Sequence, residues 1–172
     1  MGFPAQAWAH TTGLVRLAPN HPCPLAEIAD RLAIQDVFAR YGIAYDEGAQ
    51  DVLRSLFTDD ARLEVTEGSS SPHVSRCGRE DIVVQMSKVF AHQADQRRHV
   101  ITNLAIESLQ SDRAVCIAYG IVTIANDGLS LGATVIYSAE LARAPDGVWR
   151  FSRLLIGMDG YAGQKPPADG RN

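Results

Sequence analysis

The chain has 172 residues, 46% of them apolar, with 16 basic against 20 acidic side chains for a net charge of −4. That length is one domain, large enough to bury a core without a disulfide or structural metal, and the composition excludes disorder throughout and coiled coil. The mild acidity gives no broad footprint for nucleic acid. The longest mostly apolar stretch without a charge, 114–126, is 13 residues long, where a helical membrane span needs about 20.

Residues 1–24 carry no continuous apolar core of the kind a secretory signal needs. They read as a loosely ordered extension able to rest on the domain through Phe3, Trp8 and Leu14. From Pro24 the periodicity becomes helical: Ile28, Leu32, Ile34, Phe38, Tyr41 and Tyr45 fall on one stripe, so 25–45 is predicted as one long amphipathic helix ended by Gly48. A short helix over 50–57, a turn at Asp59–Asp60, a strand over 61–66 and a Ser/Gly loop at 68–72 follow. A third helix spans 79–92, with Ile82, Val83, Met86, Val89 and Phe90 as its stripe.

The character then changes. Segments 98–109, 113–125, 129–143 and 148–157 are rich in Val, Ile, Thr and Tyr, and short turn signals separate them. That pattern predicts a four-stranded antiparallel meander. Helices first and strands later is the α+β order. A strongly curved sheet can wrap around the helices and enclose an apolar pocket. The domain is placed at 25–161, with a C-terminal tail over 162–172.

The candidate chemistry lies in two places. His99 opens a predicted strand on which period two puts His99, Ile101, Asn103 and Ala105 on one face. Asp46 stands at the C-terminal end of the long helix, where the dipole disfavours a carboxylate. Each has a plain reading: a core histidine satisfied by a neighbour, and a solvated Asp in a turn beside Glu47. If the two meet, the carboxylate fixes the imidazole tautomer and leaves the other ring nitrogen as a general base. Tyr41 is then a phenol donor, with Tyr45, Tyr119, Tyr137 and Arg143 as further polar tips. No zinc-protease, nucleophile-elbow, dinucleotide or P-loop motif occurs, and the five histidines do not cluster with ligand spacing. Cys23, Cys77 and Cys116 are scattered, which fits a reducing, cytoplasmic setting.

Several segments carry a resemblance: Leu32-Ala-Ile-Gln-Asp-Val-Phe-Ala-Arg-Tyr41 with Asp46, Leu56-Phe-Thr-Asp-Asp-Ala61, Gly78-Arg-Glu80, Arg98-His-Val-Ile-Thr-Asn103, and Tyr137 through Arg143 to Asp146-Gly-Val-Trp-Arg-Phe-Ser-Arg153. In order and spacing they resemble the SnoaL-like branch of the nuclear-transport-factor-2-like superfamily, nearest its scytalone dehydratase, bile acid 7α-dehydratase and hexachlorocyclohexane dehydrochlorinase group. The resemblance implies a cone-shaped sheet around the helices and a cofactor-independent lyase or isomerase acting on a small hydrophobic molecule. It implies Asp46, His99, Tyr41 and Arg143 as catalytic residues and a homodimer or homotrimer as the assembly. Tyr45, Asn103, Tyr119 and Tyr137 are the substrate-binding candidates. The second acid of the group has no counterpart around 120–124, which hold Gly, Ile, Val and Thr. A cyclase or epoxide-opening enzyme uses the same pocket. The fold also serves the non-catalytic small subunit of ring-hydroxylating dioxygenases and simple ligand-binding modules.

Overall fold

The computed structural model describes residues 5–161. A four-residue helix, α1 (Trp8–Thr11), precedes a 3₁₀ turn at Leu25–Glu27 that runs into the long helix α2 (Ile28–Asp46). Then come α3 (Gln50–Ser55), β1 (Phe57–Glu67), β2 (Val74–Cys77), α4 (Arg79–Ala91) and four long strands: β3 (Gln96–Leu109), β4 (Arg113–Ala125), β5 (Leu129–Arg143) and β6 (Trp149–Tyr161). They form one six-stranded sheet in the order β2-β1-β6-β5-β4-β3. The fold is α+β, a curved open sheet with one long and several shorter helices.

The sheet departs from the predicted meander at its far side. β3 to β6 pair antiparallel in sequence order. β1, however, lies parallel to β6, and β2 adds an antiparallel edge. Turn signals reveal hairpins because both partners are local; the β1–β6 pairing joins segments some ninety residues apart and leaves no local trace. β1 also starts at Phe57, inside the predicted second helix, and carries Asp59–Asp60 through a register irregularity instead of a turn.

The core lies between the helices and one face of the sheet. Ile34, Phe38 and Tyr41 of α2 meet Phe57, Tyr137, Phe151 and Leu154 of the strands, all essentially inaccessible to solvent. Phe38 and Phe151 pack edge to face at 5.1 Å between ring centres. The first turns of α2 stand off this core: Ile28 and Leu32 are exposed, contrary to the predicted stripe. Two glycines fix the other end. Gly48 takes a positive φ of 64° just past the helix and is covered by the Phe90 ring. Gly42 lies against β3, where a Cβ would be 3.1 Å from the His99 carbonyl oxygen.

The N-terminal segment rests on the opposite, outer face of the sheet. Trp8 and Ala9 bury against Ile117 and Ile136, with Leu14 and Val15 packed alongside. The Trp8 indole N–H donates to Asp159 Oδ1 at 2.6 Å. Phe3 and the 162–172 tail lie outside the described residues. Among the described residues no helix is long and apolar enough to cross a membrane.

Candidate active site

Asp46 is the last residue of α2, one turn beyond Gly42 and therefore on the same helix face. The close approach that Gly42 permits brings the Asp46 carboxylate onto the start of β3. Its Oδ2 accepts the His99 backbone N–H at 2.8 Å, and its Oδ1 lies 2.5 Å from His99 Nδ1. The two side chains are 5% and 11% exposed. A carboxylate oxygen is an acceptor, so Nδ1 carries the ring proton and Nε2 is left with its lone pair. The two donors of His99 also offset the unfavourable position of Asp46 at the negative end of the helix dipole. The Gln96 side-chain amide donates to the Asp46 carbonyl at 3.3 Å and so occupies one of the open carbonyls of the helix end.

An aromatic column continues from this pair into the core. The Tyr45 ring sits 5.0 Å from the imidazole, Tyr41 stacks on Tyr45 at 6.2 Å, and Tyr137 meets Tyr41 edge to face at 6.1 Å. Tyr45 is half-buried, whereas Tyr41 and Tyr137 are enclosed. Burial, reinforced by neighbouring phenols and by Asp46, holds the Tyr41 and Tyr137 hydroxyls well above the ordinary phenol value, so both stay neutral donors. Tyr45 also lines a small crevice between the end of α2, α3 and α4, with Leu53, Met86 and Phe90 on its walls; His99 is not among its lining residues.

The structure thus brings Asp46, His99, Tyr45, Tyr41 and Tyr137 together, and leaves three other candidates elsewhere. Asn103 does not share the His99 face. It adopts a positive φ of 53° where the β3–β4 register shifts, is exposed, and turns the strand so that Leu104 and Ile106 face the core after it. Period two fails because the strand contains a bulge. Tyr119 is half exposed on the outer face, between the core residues Ala118 and Gly120. Arg143 lies at the far end of β5, where it faces Asp30 at 3.4 Å. The row through His99 crosses β5 at Ala133, ten residues or roughly 30 Å of strand away.

Two contributors escape the reading of the chain alone, Gly42 and Gln96. A glycine inside an amphipathic helix is itself a signal, because it costs about 1 kcal/mol unless something packs against it. Gln96 leaves none. Among the described residues no group of three or more His, Cys, Asp or Glu side chains is placed to hold a metal ion.

Comparisons with solved structures agree on the fold. A protein of Catenulispora acidiphila solved in complex with S-DNPA is 27% identical, with a TM-score of 0.64 over 76% of this chain and 94% of that one. The β subunit of a candidate aromatic-ring-hydroxylating dioxygenase from Novosphingobium aromaticivorans is 20% identical, with a TM-score of 0.69 over 81% and 94%. A candidate scytalone dehydratase from the same organism is 15% identical, with a TM-score of 0.67 over 85% and 97%. No curated protein matches the chain. The SnoaL-like domain profile matches residues 26–154, three quarters of the chain and all of α2 to β5, and the chain belongs to that family.

Proposed function

We propose that the protein is a cofactor-independent lyase or isomerase of the dehydratase type, acting on a small hydrophobic molecule in the cytoplasm. The observation that carries this reading is the double hold of Asp46 on His99, at the backbone N–H and at Nδ1. It sets the ring orientation and tautomer together, in surroundings almost free of solvent. Nε2 then takes a proton from a carbon acid. The C–H electron pair becomes a C=C bond, and the β leaving group departs with its own pair. Without a leaving group, return of the proton to another carbon is isomerisation. Asp46 stabilises the imidazolium formed. Tyr45, its ring 5.0 Å from the imidazole, is the surface against which a flat apolar substrate rests. Arg143 has no part in this scheme, since its place in the sheet is remote. A cyclisation or epoxide opening uses the same base.

The test uses β-hydroxy aryl ketones in D₂O, read by enone absorbance and by deuterium uptake next to the carbonyl. His99→Gln is expected to lower both rates by on the order of 10²–10⁴-fold, far more than the loss of one hydrogen bond to Asp46 explains. Undiminished rates in that variant overturn the mechanism. The likeness to a dioxygenase β subunit favours a second reading, a supporting subunit without chemistry of its own. A supporting subunit, like a pure binding module, puts no deuterium into any probe. Assembly into a homodimer or homotrimer falls to the outer face of the sheet, part of which the N-terminal segment covers.

A further inference from the structure

The last turn of α2 leaves four backbone carbonyls without partners inside the helix. Three are met by the residues that follow: the Glu47 N–H donates to Ile43, the Ala49 N–H to Ala44 and the Gly48 N–H to Tyr45, at 2.8–3.3 Å. The fourth, on Asp46, is met from another element. The Gln96 side-chain amide, at the start of β3, donates to it at 3.3 Å and to the Arg97 carbonyl at 2.8 Å. Both neighbours are carbonyl oxygens, which only accept, so the NH₂ end of the amide faces them.

That carbonyl belongs to the same residue as the carboxylate that holds His99, and it carries part of the negative pole of the helix. Left bare, the pole adds to the carboxylate in favouring the imidazolium. A ring that is already protonated accepts no proton from a substrate. The other charges close to the ring come in pairs: Arg97 with Asp95 at 2.8 Å, and Arg98 with Glu47 at 2.6 Å. The Arg98–Glu47 pair is exposed, and a pair of that kind contributes little. The remaining groups around the ring are the phenols of Tyr41, Tyr45 and Tyr137, and β4 sets the apolar Val122 opposite His99. We propose that Gln96 is a positioning residue: it meets the negative pole of α2 beside His99 and so keeps the imidazole unprotonated and able to act. It acts through Asp46. The proposal rests on the reading of His99 as the base.

Two full-length variants at this exposed position tell a charge effect from a mechanical staple. Gln96→Leu keeps the bulk and removes the N–H groups. Gln96→Lys restores an N–H donor and adds a full positive charge. The first readout is the ring ¹⁵N shifts of His99 followed over pH without any substrate. The second is the pH profile of deuterium uptake by the probe ketones. An effect the size of a helix pole in partly buried surroundings moves a midpoint by about 0.5–1 on the pH scale. Gln96→Leu is expected to move both midpoints to higher pH by that amount. Uptake on the acid limb then falls about three- to tenfold, while the alkaline plateau is kept. Gln96→Lys is expected to bring the midpoints back to the wild-type position or below it. A staple alone lowers uptake by one factor at every pH. Profiles that superimpose on scaling, or an unmoved ring titration in Gln96→Leu, therefore overturn the proposal. So does a Gln96→Lys midpoint as high as that of Gln96→Leu. A ring titration that shifts as expected in a protein that takes up no deuterium supports the placement of Gln96 and overturns the reading of His99 as the base.

Discussion

Replacing Asp46 by Asn separates the chemistry of the pair from its structural role. The carboxylate meets two donors of His99, one of which cannot change: the backbone N–H. An amide has one acceptor oxygen, so that oxygen goes to the backbone and the NH₂ turns to the ring. Nδ1 must then accept, which moves the ring proton to Nε2 and removes the base. The fold keeps both contacts as neutral hydrogen bonds. A bond to a charged group contributes roughly 1.5–3 kcal/mol and a neutral one roughly 0.5–1.5, so two such exchanges cost about 2–3 kcal/mol. For a chain of this length each kcal/mol lowers the melting temperature by about 2–4 °C. Asp46→Ala is expected to cost about 1–3 kcal/mol more, because it leaves the buried His99 N–H without a partner. The assay is long-range ¹⁵N–¹H NMR of the histidine rings in mildly alkaline buffer, with His99 assigned by its loss in His99→Gln. The wild type is expected to show the proton on Nδ1 and Asp46→Asn on Nε2. Deuterium uptake by the probe ketones is expected to fall by on the order of 10²–10⁴-fold, far beyond what the drop in melting temperature explains. An unchanged tautomer in Asp46→Asn, or a wild-type ring protonated at Nε2, refutes the reasoning.

Three other outcomes follow from burial. Cys23 and Cys77 are exposed while Cys116 is enclosed, and burial pushes the Cys116 thiol from its ordinary 9.0 up to about 12; a thiol reagent is therefore expected to label two cysteines in the native protein and three after denaturation, as mass spectrometry reads directly. Tyr41 and Tyr137 have folded values raised above the ordinary 10.0 by burial, so only the unfolded chain ionises them just above that pH, and stability is expected to fall as pH rises from there; absorbance near 295 nm is expected to show these two phenols ionising only as the circular dichroism is lost. Gly42→Ala improves helix propensity by roughly 0.5–1 kcal/mol but presses a methyl to 3.1 Å from the His99 carbonyl oxygen, and overpacking of this kind costs roughly 1–3 kcal/mol; a modest drop in melting temperature and a weaker Asp46–His99 NMR signature are expected, with an unperturbed pair as the refuting result.

What was legible in the chain was whatever its own neighbours decide. The four long strands announced themselves through turns such as Asn126-Asp127-Gly128, and α4 through the spacing of Ile82, Val83 and Met86. The parallel seam between β1 and β6 did not, because nothing near Leu63 in sequence records that Leu154 will lie beside it. The same division runs through the site. His99 stands out as a polar group in apolar company and Asp46 as a carboxylate at the disfavoured end of a helix, yet only the docking of α2 on β3 decides that they touch. Asn103 leaves the His99 face because a single left-handed residue reverses the alternation of a strand. Arg143 and Tyr119 carry suitable chemistry, but the sheet directs them to its far end and its outer face.

The position of Asp46 also explains why fold and site are one unit here. A carboxylate at the last residue of a helix works against the dipole by roughly 0.3–1 kcal/mol, and burying it without donors costs several times more. The arrangement is stable only because β3 supplies two N–H groups at that point, and β3 is within reach only because Gly42, one turn earlier, has no side chain to hold the strand away. Loosening α2 from β3 therefore removes the donors from Asp46 and the tautomer lock from His99 in the same movement. Variants that loosen this contact should lose proton abstraction and thermal stability together, whereas changes at the exposed start of the helix, at Ile28 or Leu32, should leave both intact.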